Sequence, residues 1–321
     1  MTQTALAGEP IPDGDAMRVL TDETIELLPL LQAAFKVRAR YFGRGVRVQI
    51  LNNAQNGFCP EDCNYCAQAA NSTAPIPKFR MKSDAEIIDE AGKAAESGAY
   101  RYCLVLSGRG PTDERVAHMS QLVTRIKETH PVEVCLSAGF IDQKMARQLK
   151  EAGLDRYNHN LNTSESHYGG ICTTHQYADR LATLEAARGE GLEVCSGIII
   201  GMGEAPQEVV EVARTLKRLE ARSIPVNFYV HVPGAKLGEV NQLTPVLCLK
   251  TLALFRLMNP DAEIRAAGGR EANLRSLVSL ALYPANSIFS EGYLNTGGDS
   301  VDETRRMIED AGFFVERIEV E

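Results

Sequence analysis

No stretch of the 321-residue chain approaches the ~20 consecutive apolar residues that a membrane-crossing helix needs. Basic charge is also in deficit. Thirty-four Lys and Arg against 42 Asp and Glu leave a formal charge of −8, which argues against a nucleic-acid or anionic-membrane partner. The first residues lack a basic run followed by an apolar one, so no signal peptide and a cytoplasmic location are expected. Low-complexity tracts and interdomain linkers are missing. With 44% hydrophobic and 24% charged residues, the composition excludes a disordered, collagenous or small disulfide-stapled chain. The length suffices for a sizeable core without disulfides.

Against these absences stands a regular beat. Residues 1–15 mix Pro, Gly, Asp and Thr without period and read as a flexible tail. Residues 16–45 form an N-terminal helical extension, with Met17, Leu20, Ile25, Leu28, Leu31, Ala34 and Phe35 at helical spacing. Apolar runs then recur near 46–52, 100–107, 132–138, 156–162, 193–201, 223–231, 263–267 and 285–290. Amphipathic helical stretches alternate with them, ending near 301–311. Eight strand–helix units predict a (β/α)8 TIM-type barrel over residues 46–316, with 317–321 as a C-terminal tail. An open doubly wound sheet is the rival, but no Gly-rich dinucleotide turn supports it.

Alternation along each run separates an apolar set from a polar one. Val, Leu and Ile fall on the face that meets the helices. Cys103, Cys135, Asn158, Asn160, Asn162, Cys195, Asn227 and Arg265 then point into the barrel, while His159 is assigned outward, against a helix. Barrel interiors are ordinarily filled with branched apolar residues. Buried thiols, amides and a guanidinium need partners, because an unpartnered polar group costs about 2–7 kcal/mol. The interior is therefore expected to hold something.

Eight cysteines are present, and three fall within eight residues: Cys59-Pro-Glu-Asp-Cys63-Asn-Tyr-Cys66. Such a loop can hold three corners of a [4Fe–4S] cube and leave the fourth iron open to a substrate. Structural zinc is the alternative and requires a fourth ligand such as His or Cys172. A second soft-metal set is Cys103, Cys135 and Cys195 from three strands with Arg265 from a fourth. Arg265 at least offsets thiolate charge there.

The three-Cys loop resembles the signature of radical S-adenosylmethionine (SAM) enzymes. With Tyr157-Asn158-His159-Asn160-Leu161-Asn162-Thr163-Ser164, Cys195-Ser196-Gly197, Ile224-Pro225-Val226-Asn227 and Ala285-Asn286-Ser287-Ile288-Phe289, the chain resembles the biotin synthase family across roughly 38–316. That resemblance implies a [4Fe–4S] cluster on Cys59, Cys63 and Cys66, and a [2Fe–2S] cluster, the sulfur donor, on Cys103, Cys135, Cys195 and Arg265. It implies SAM contacts from Tyr65, Asn160, Asn162, Arg180 and Gly201. Asn158, Asn160 and Asn227 would hold the substrate dethiobiotin. The implied reaction is reductive SAM cleavage followed by sulfur insertion that yields biotin, the last step of its biosynthesis. Implied partners are a flavodoxin- or ferredoxin-type reductant, the iron–sulfur assembly machinery and a second copy in a homodimer. The chain departs from common family patterns at Asn162, at Gly234-Ala235-Lys236-Leu237 and at Ala267. Cys172 and Cys248 match no ligand position and read as packing or surface thiols. Two rival readings are a radical SAM enzyme with another substrate and a non-enzymatic iron–sulfur carrier.

Overall fold

The computed structural model describes residues 1–238, 240 and 243–318. The elements run in order α1 (Thr2–Leu6), α2 (Asp13–Thr21), α3 (Leu27–Phe42), β1 (Gly45–Gln55), α4 (Asp84–Glu96), β2 (Arg101–Leu106), α5 (Asp113–Thr129), β3 (Glu133–Ser137), α6 (Gln143–Glu151) and β4 (Arg156–Asn158). There follow α7 (Glu165–Tyr168), α8 (Tyr177–Gly189), β5 (Glu193–Cys195), β6 (Ile198–Ile200), α9 (Pro206–Arg218), β7 (Ser223–Phe228), α10 (Pro245–Met258) and β8 (Glu263–Ala266). The last are α11 (Arg270–Leu274), a 3-10 segment (Arg275–Leu282), β9 (Ser287–Ser290), α12 (Val301–Asp310) and β10 (Phe314–Val315).

Every ladder between these strands is parallel, and β9 returns to β1, so the sheet closes. This is the expected (β/α)8 barrel, with β5 and β6 sharing one stave and β10 appended to β1. The continuous strand expected over 193–201 is interrupted at Ser196-Gly197. The reason is steric: a Cβ on Gly197 would lie 1.8 Å from the Pro225 carbonyl oxygen, so the two backbones touch where β5 gives way to β6. After β8, α11 gives way to the 3-10 segment at Arg275, whose φ is +52°.

Local signals start the helices. Ser83 and Ser300 close capping boxes with Glu86 and Glu303, Asp142 caps α6, and α9 and α10 begin with proline. The apolar strand faces lie under these helices. Leu104, Val134, Leu136 and Tyr157 pack with α4, α5 and α6, whereas Val194, Ile198, Ile200, Val226, Phe228, Ile264 and Ala266 pack in the larger core. The opposite faces bring Cys103, Cys135 and Cys195 together with Ala267 and Phe289 inside the barrel.

Residues 1–15 are not a loose tail. They carry α1 and the start of α2, and Ala5 and Ile11 are buried in the larger core. Apolar residues too few to show a period still found a surface to cover. The extension is pinned through buried Arg38, which donates to the carbonyl oxygens of Ala285 (3.0 Å), Gly45 (2.7 Å) and Gly43. Of the expected tail 317–321, residues 319–321 lie outside the described residues. Among those described, no helix is long and apolar enough to cross a membrane.

Candidate active site: two thiol sets in one barrel cavity

A cavity of about 320 Å³ opens at the C-terminal ends of the strands, where barrel enzymes build their sites. Cys59, Cys63, Tyr65, Cys66, Asn160, Asn162 and Arg180 line its upper part, and Cys103, Cys135, Asn158, Asn227 and Arg265 its lower part. Cys195 is fully buried just behind this wall, and Gly201 stands off it. Gly201 instead turns the chain: its φ is +93°, and its N–H donates to Glu204 Oε1 at 2.7 Å.

The upper thiols sit on an irregular loop after β1, tied down by its own acids. Asp62 Oδ1 accepts the N–H groups of Thr173 (2.9 Å) and Thr174 (3.2 Å). Glu61 accepts from Arg109 Nη1 (2.9 Å) and Thr174 Oγ1 (2.5 Å), and meets His175 Nδ1 at 2.5 Å. Asn64 donates from its backbone to Ile171 O (3.0 Å) and from its amide to Gly170 O (2.8 Å). The Cys loop is thus welded to residues 170–175. Without a metal its thiols stay protonated. Burial raises Cys59, a hydrogen bond with Cys172 and burial raise Cys63, and burial pushes Cys66 up to about 11. Loading a metal here releases protons.

Beside the loop, Asn162 Nδ2 donates to the Tyr65 hydroxyl at 2.6 Å. Asn162 has a φ of +69°, a conformation asparagine tolerates better than most residues. Arg180, from α8, donates to Asn160 O (2.8 Å), His175 Nε2 (3.1 Å) and the Tyr168 hydroxyl. His159 was assigned outward. It does reach the helix layer through Arg180 Nη1 at 3.4 Å, but it also forms part of the cavity wall, its ring tilted against that of Phe140. The strand has ended at Asn158, so the alternation that placed His159 no longer holds there.

The lower thiols sit on strands. Cys103 and Cys135 are register partners on β2 and β3, and Cys195 is the register partner of Asn158. All three are buried free thiols. A hydrogen bond from Cys135 and the nearby Arg265 charge hold Cys195 well below the usual thiol value. Cys135, which shares its proton with both neighbours, is pushed up. Arg265 Nη1 lies 4.0 Å from Cys195 Sγ, and Asn158 Nδ2 lies 3.3 Å from the same sulfur.

Beneath them lies a polar floor that sequence patterning missed. Glu263, 1% exposed, accepts from Gln49 Nε2 (2.7 Å), Arg101 Nη1 (2.8 Å), Ser223 Oγ (3.0 Å) and Arg265 Nη2 (2.9 Å). Gln49 Oε1 in turn accepts from Cys103 Sγ at 3.3 Å. Burial opposes ionisation of Glu263, but Arg101, Arg156 and Arg265 outweigh it and hold its carboxyl well below the usual range. The signal was available: Glu263 and Arg265 share one strand face. The amide of Asn227 is partly committed to backbone, donating to Ile198 O (3.1 Å) and accepting from Gly268 N (3.0 Å).

The donor sets fit iron–sulfur chemistry: three local thiols leave one corner open, and three buried thiols face an arginine with no disulfide among them. Residues 56–237 match the Radical SAM superfamily, and residues 225–314 match the Biotin and Thiamin Synthesis associated domain. The chain is 68% identical to biotin synthase of Magnetococcus marinus, covering 100% of both chains. The chain belongs to the biotin synthase family. Biotin synthase of Acaryochloris marina is 54% identical, over 97% of this chain and 90% of that one. Among solved structures, methylornithine synthase superposes with a TM-score of 0.83 at 20% identity, covering 98% of this chain and 97% of the other. The FeFe-hydrogenase maturase HydG of Carboxydothermus hydrogenoformans gives 0.81 at 19%, covering 97% and 77%. At such identities these two show the fold alone. Family membership makes the chain an enzyme of the biotin synthase type, dependent on SAM and iron–sulfur clusters.

Proposed function

We propose that the chain converts dethiobiotin to biotin by inserting sulfur, with Cys59, Cys63 and Cys66 holding a [4Fe–4S] cluster and Cys103, Cys135, Cys195 and Arg265 holding a [2Fe–2S] cluster. One observation carries the reading: a single cavity has three loop thiols at its mouth and strand thiols with an arginine at its base. When bound, the upper cluster with SAM supplies a carbon-centred radical, and the lower cluster supplies sulfur.

The residues between them position and enclose. Arg180 presents a buried guanidinium at the upper cavity wall, where a SAM carboxylate would meet it. Tyr65 and Asn162, joined by their hydrogen bond, form a polar edge for the adenosine. Asn158 and Asn160, linked at 3.3 Å, offer amide groups to a ureido ring, and Asn227 keeps one N–H beyond its backbone bond for the same ring. Phe289 and Tyr293 close the lower wall against water, with Arg265 held over the Phe289 ring at 4.8 Å. Gly201 acts at one remove, through the turn that Glu204 holds. A flavodoxin- or ferredoxin-type reductant, the iron–sulfur assembly machinery, a homodimer and a cytoplasmic location complete the proposal.

The test supplies dethiobiotin to anaerobically reconstituted enzyme and follows deoxyadenosine and biotin together. Both form in the wild type. In Cys195→Ala, deoxyadenosine persists and biotin does not. Normal biotin yield from that variant removes the lower site from sulfur transfer. Deoxyadenosine without biotin in the wild type points to a different substrate.

A further inference from the structure

Two buried groups beside the upper thiols have no part in the function proposed above. His175 and Glu61 are each 5% exposed, and both line the cavity wall with Arg180. His175 precedes α8, and Arg180 follows it by five residues, inside that helix. The imidazole is wedged between two aromatic rings, its centroid 5.1 Å from that of Phe140 and 5.8 Å from that of Tyr168. Its hydrogen bonds fix its tautomer. Arginine has donors and no acceptor, so His175 Nε2, 3.1 Å from Arg180 Nη2, accepts. The ring proton then sits on Nδ1 and is donated to Glu61 Oε2 at 2.5 Å. Glu61 is held in turn, one oxygen by Arg109 and the other by Thr174. One imidazole thus joins the Cys59–Cys66 loop to Arg180.

Arg180 has five N–H groups, and four are committed. Nε donates to the Tyr168 hydroxyl, and Nη1 to Asn160 O (2.8 Å) and His159 Nε2 (3.4 Å). His175 takes one of the two on Nη2. The remaining N–H, also on Nη2, has no partner among the described residues. The nitrogen that His175 steers is therefore the one with a donor to spare for a ligand. All four partners are uncharged; burial and the Arg180 charge hold His159 well below the usual histidine range. They orient the guanidinium without cancelling its charge, which stays available to an anion in the cavity. Three points fix a plane, and the three nitrogens of Arg180 are each held by a partner. Loss of the His175 acceptor frees one corner and leaves two unmatched N–H groups on a side chain 8% exposed.

We propose that His175, oriented by Glu61, is a positioning residue for SAM: it sets the plane of Arg180 so that the spare Nη2 N–H meets the carboxylate of the ligand. This rests on Arg180 as the carboxylate anchor, as argued above. Preorganisation of this kind raises affinity because the side chain is already ordered when the ligand arrives. It acts on one group of SAM alone, and a ligand without that carboxylate gains nothing from it.

The experiment uses the full-length, anaerobically reconstituted enzyme without reductant, so that SAM binds and is not cleaved. Dissociation constants of SAM and of decarboxylated SAM are measured by equilibrium dialysis. Wild type is compared with His175→Phe, His175→Gln, Arg180→Ala and the double variant His175→Phe/Arg180→Ala, each matched to wild type in iron content and circular dichroism. Phenylalanine keeps a ring between Phe140 and Tyr168 and removes both nitrogens; glutamine keeps one acceptor and one donor. SAM binding weakens by about tenfold in His175→Phe, decarboxylated SAM binds as it does to wild type, and His175→Gln recovers most of the loss. The double variant binds SAM no more weakly than Arg180→Ala, because the imidazole acts through that arginine. Unchanged SAM affinity in His175→Phe, equal weakening of both ligands, a glutamine variant no better than phenylalanine, or additive losses in the double variant overturns the proposal. An Arg180→Ala enzyme that favours SAM over its decarboxylated form as strongly as wild type does has a different meaning: the arginine is not the carboxylate anchor, and the earlier reading fails.

Discussion

The two thiol sets differ in what holds them. The upper set is local in sequence and sits on a loop with no secondary structure of its own, anchored by Glu61, Asp62 and Asn64 to residues 170–175. The lower set is scattered over 93 positions of sequence, from Cys103 to Cys195, and is assembled by strand register and backed by the Glu263 floor. A loop can yield as ligands enter and leave. A barrel stave cannot shift without disturbing its neighbours. The upper site is suited to exchange, and the lower to holding one geometry.

The sharpest break in that comparison is chemical. Cys66→Ala removes a corner of the open site, and deoxyadenosine formation falls to background, whereas Cys195→Ala keeps it. Equal deoxyadenosine yields from the two variants, measured by chromatography after reconstitution, would falsify the division of labour. Next in size is Glu263→Gln, which strips the carboxylate from two buried guanidiniums and destabilises the fold by about 3 kcal/mol. Because the folded Glu263 carboxyl is held below its ordinary value, its contribution is present above the unfolded pKa and fades as pH falls through the folded one. Urea midpoints at neutral and acid pH should therefore converge for wild type and variant as the solution is acidified; a constant gap rejects the argument.

A Gly197→Ala methyl meets the Pro225 carbonyl at the break between β5 and β6, at a cost of about 1–3 kcal/mol. A melting temperature equal to that of wild type refutes that contact. The smallest effect belongs to the upper loop. Thr174→Val leaves Glu61 one donor short, at a cost of about 1 kcal/mol, and should loosen the loop without moving the strands. Faster amide exchange confined to residues 57–70 and 170–176 is the expected signature, and uniform protection across the chain contradicts it.

Much of this was legible in sequence because the barrel repeats one rule. Apolar alternation locates the staves, and its complement puts Cys103, Cys135 and Arg265 inside, where they lie. The rule lost its grip where strands stop. His159 and Gly201 lie beyond strand ends, where chain direction is set by turns such as the one Glu204 holds. It was also silent about long-range polar pairs. The bond between Thr174 and Glu61 spans 113 residues, and that between Gln49 and Glu263 spans 214; neither spacing carries a periodic trace. The helix at Thr2–Leu6 escaped because five residues are too few to show an amphipathic beat.

Glu263 has one more implication. Arg265 shares the Glu263 carboxylate with Arg101 and also faces the Cys195 sulfur, so its counter-charge comes from its own chain. The floor of the barrel cavity is thus held by ion pairs that close on one another, whatever fills the space above.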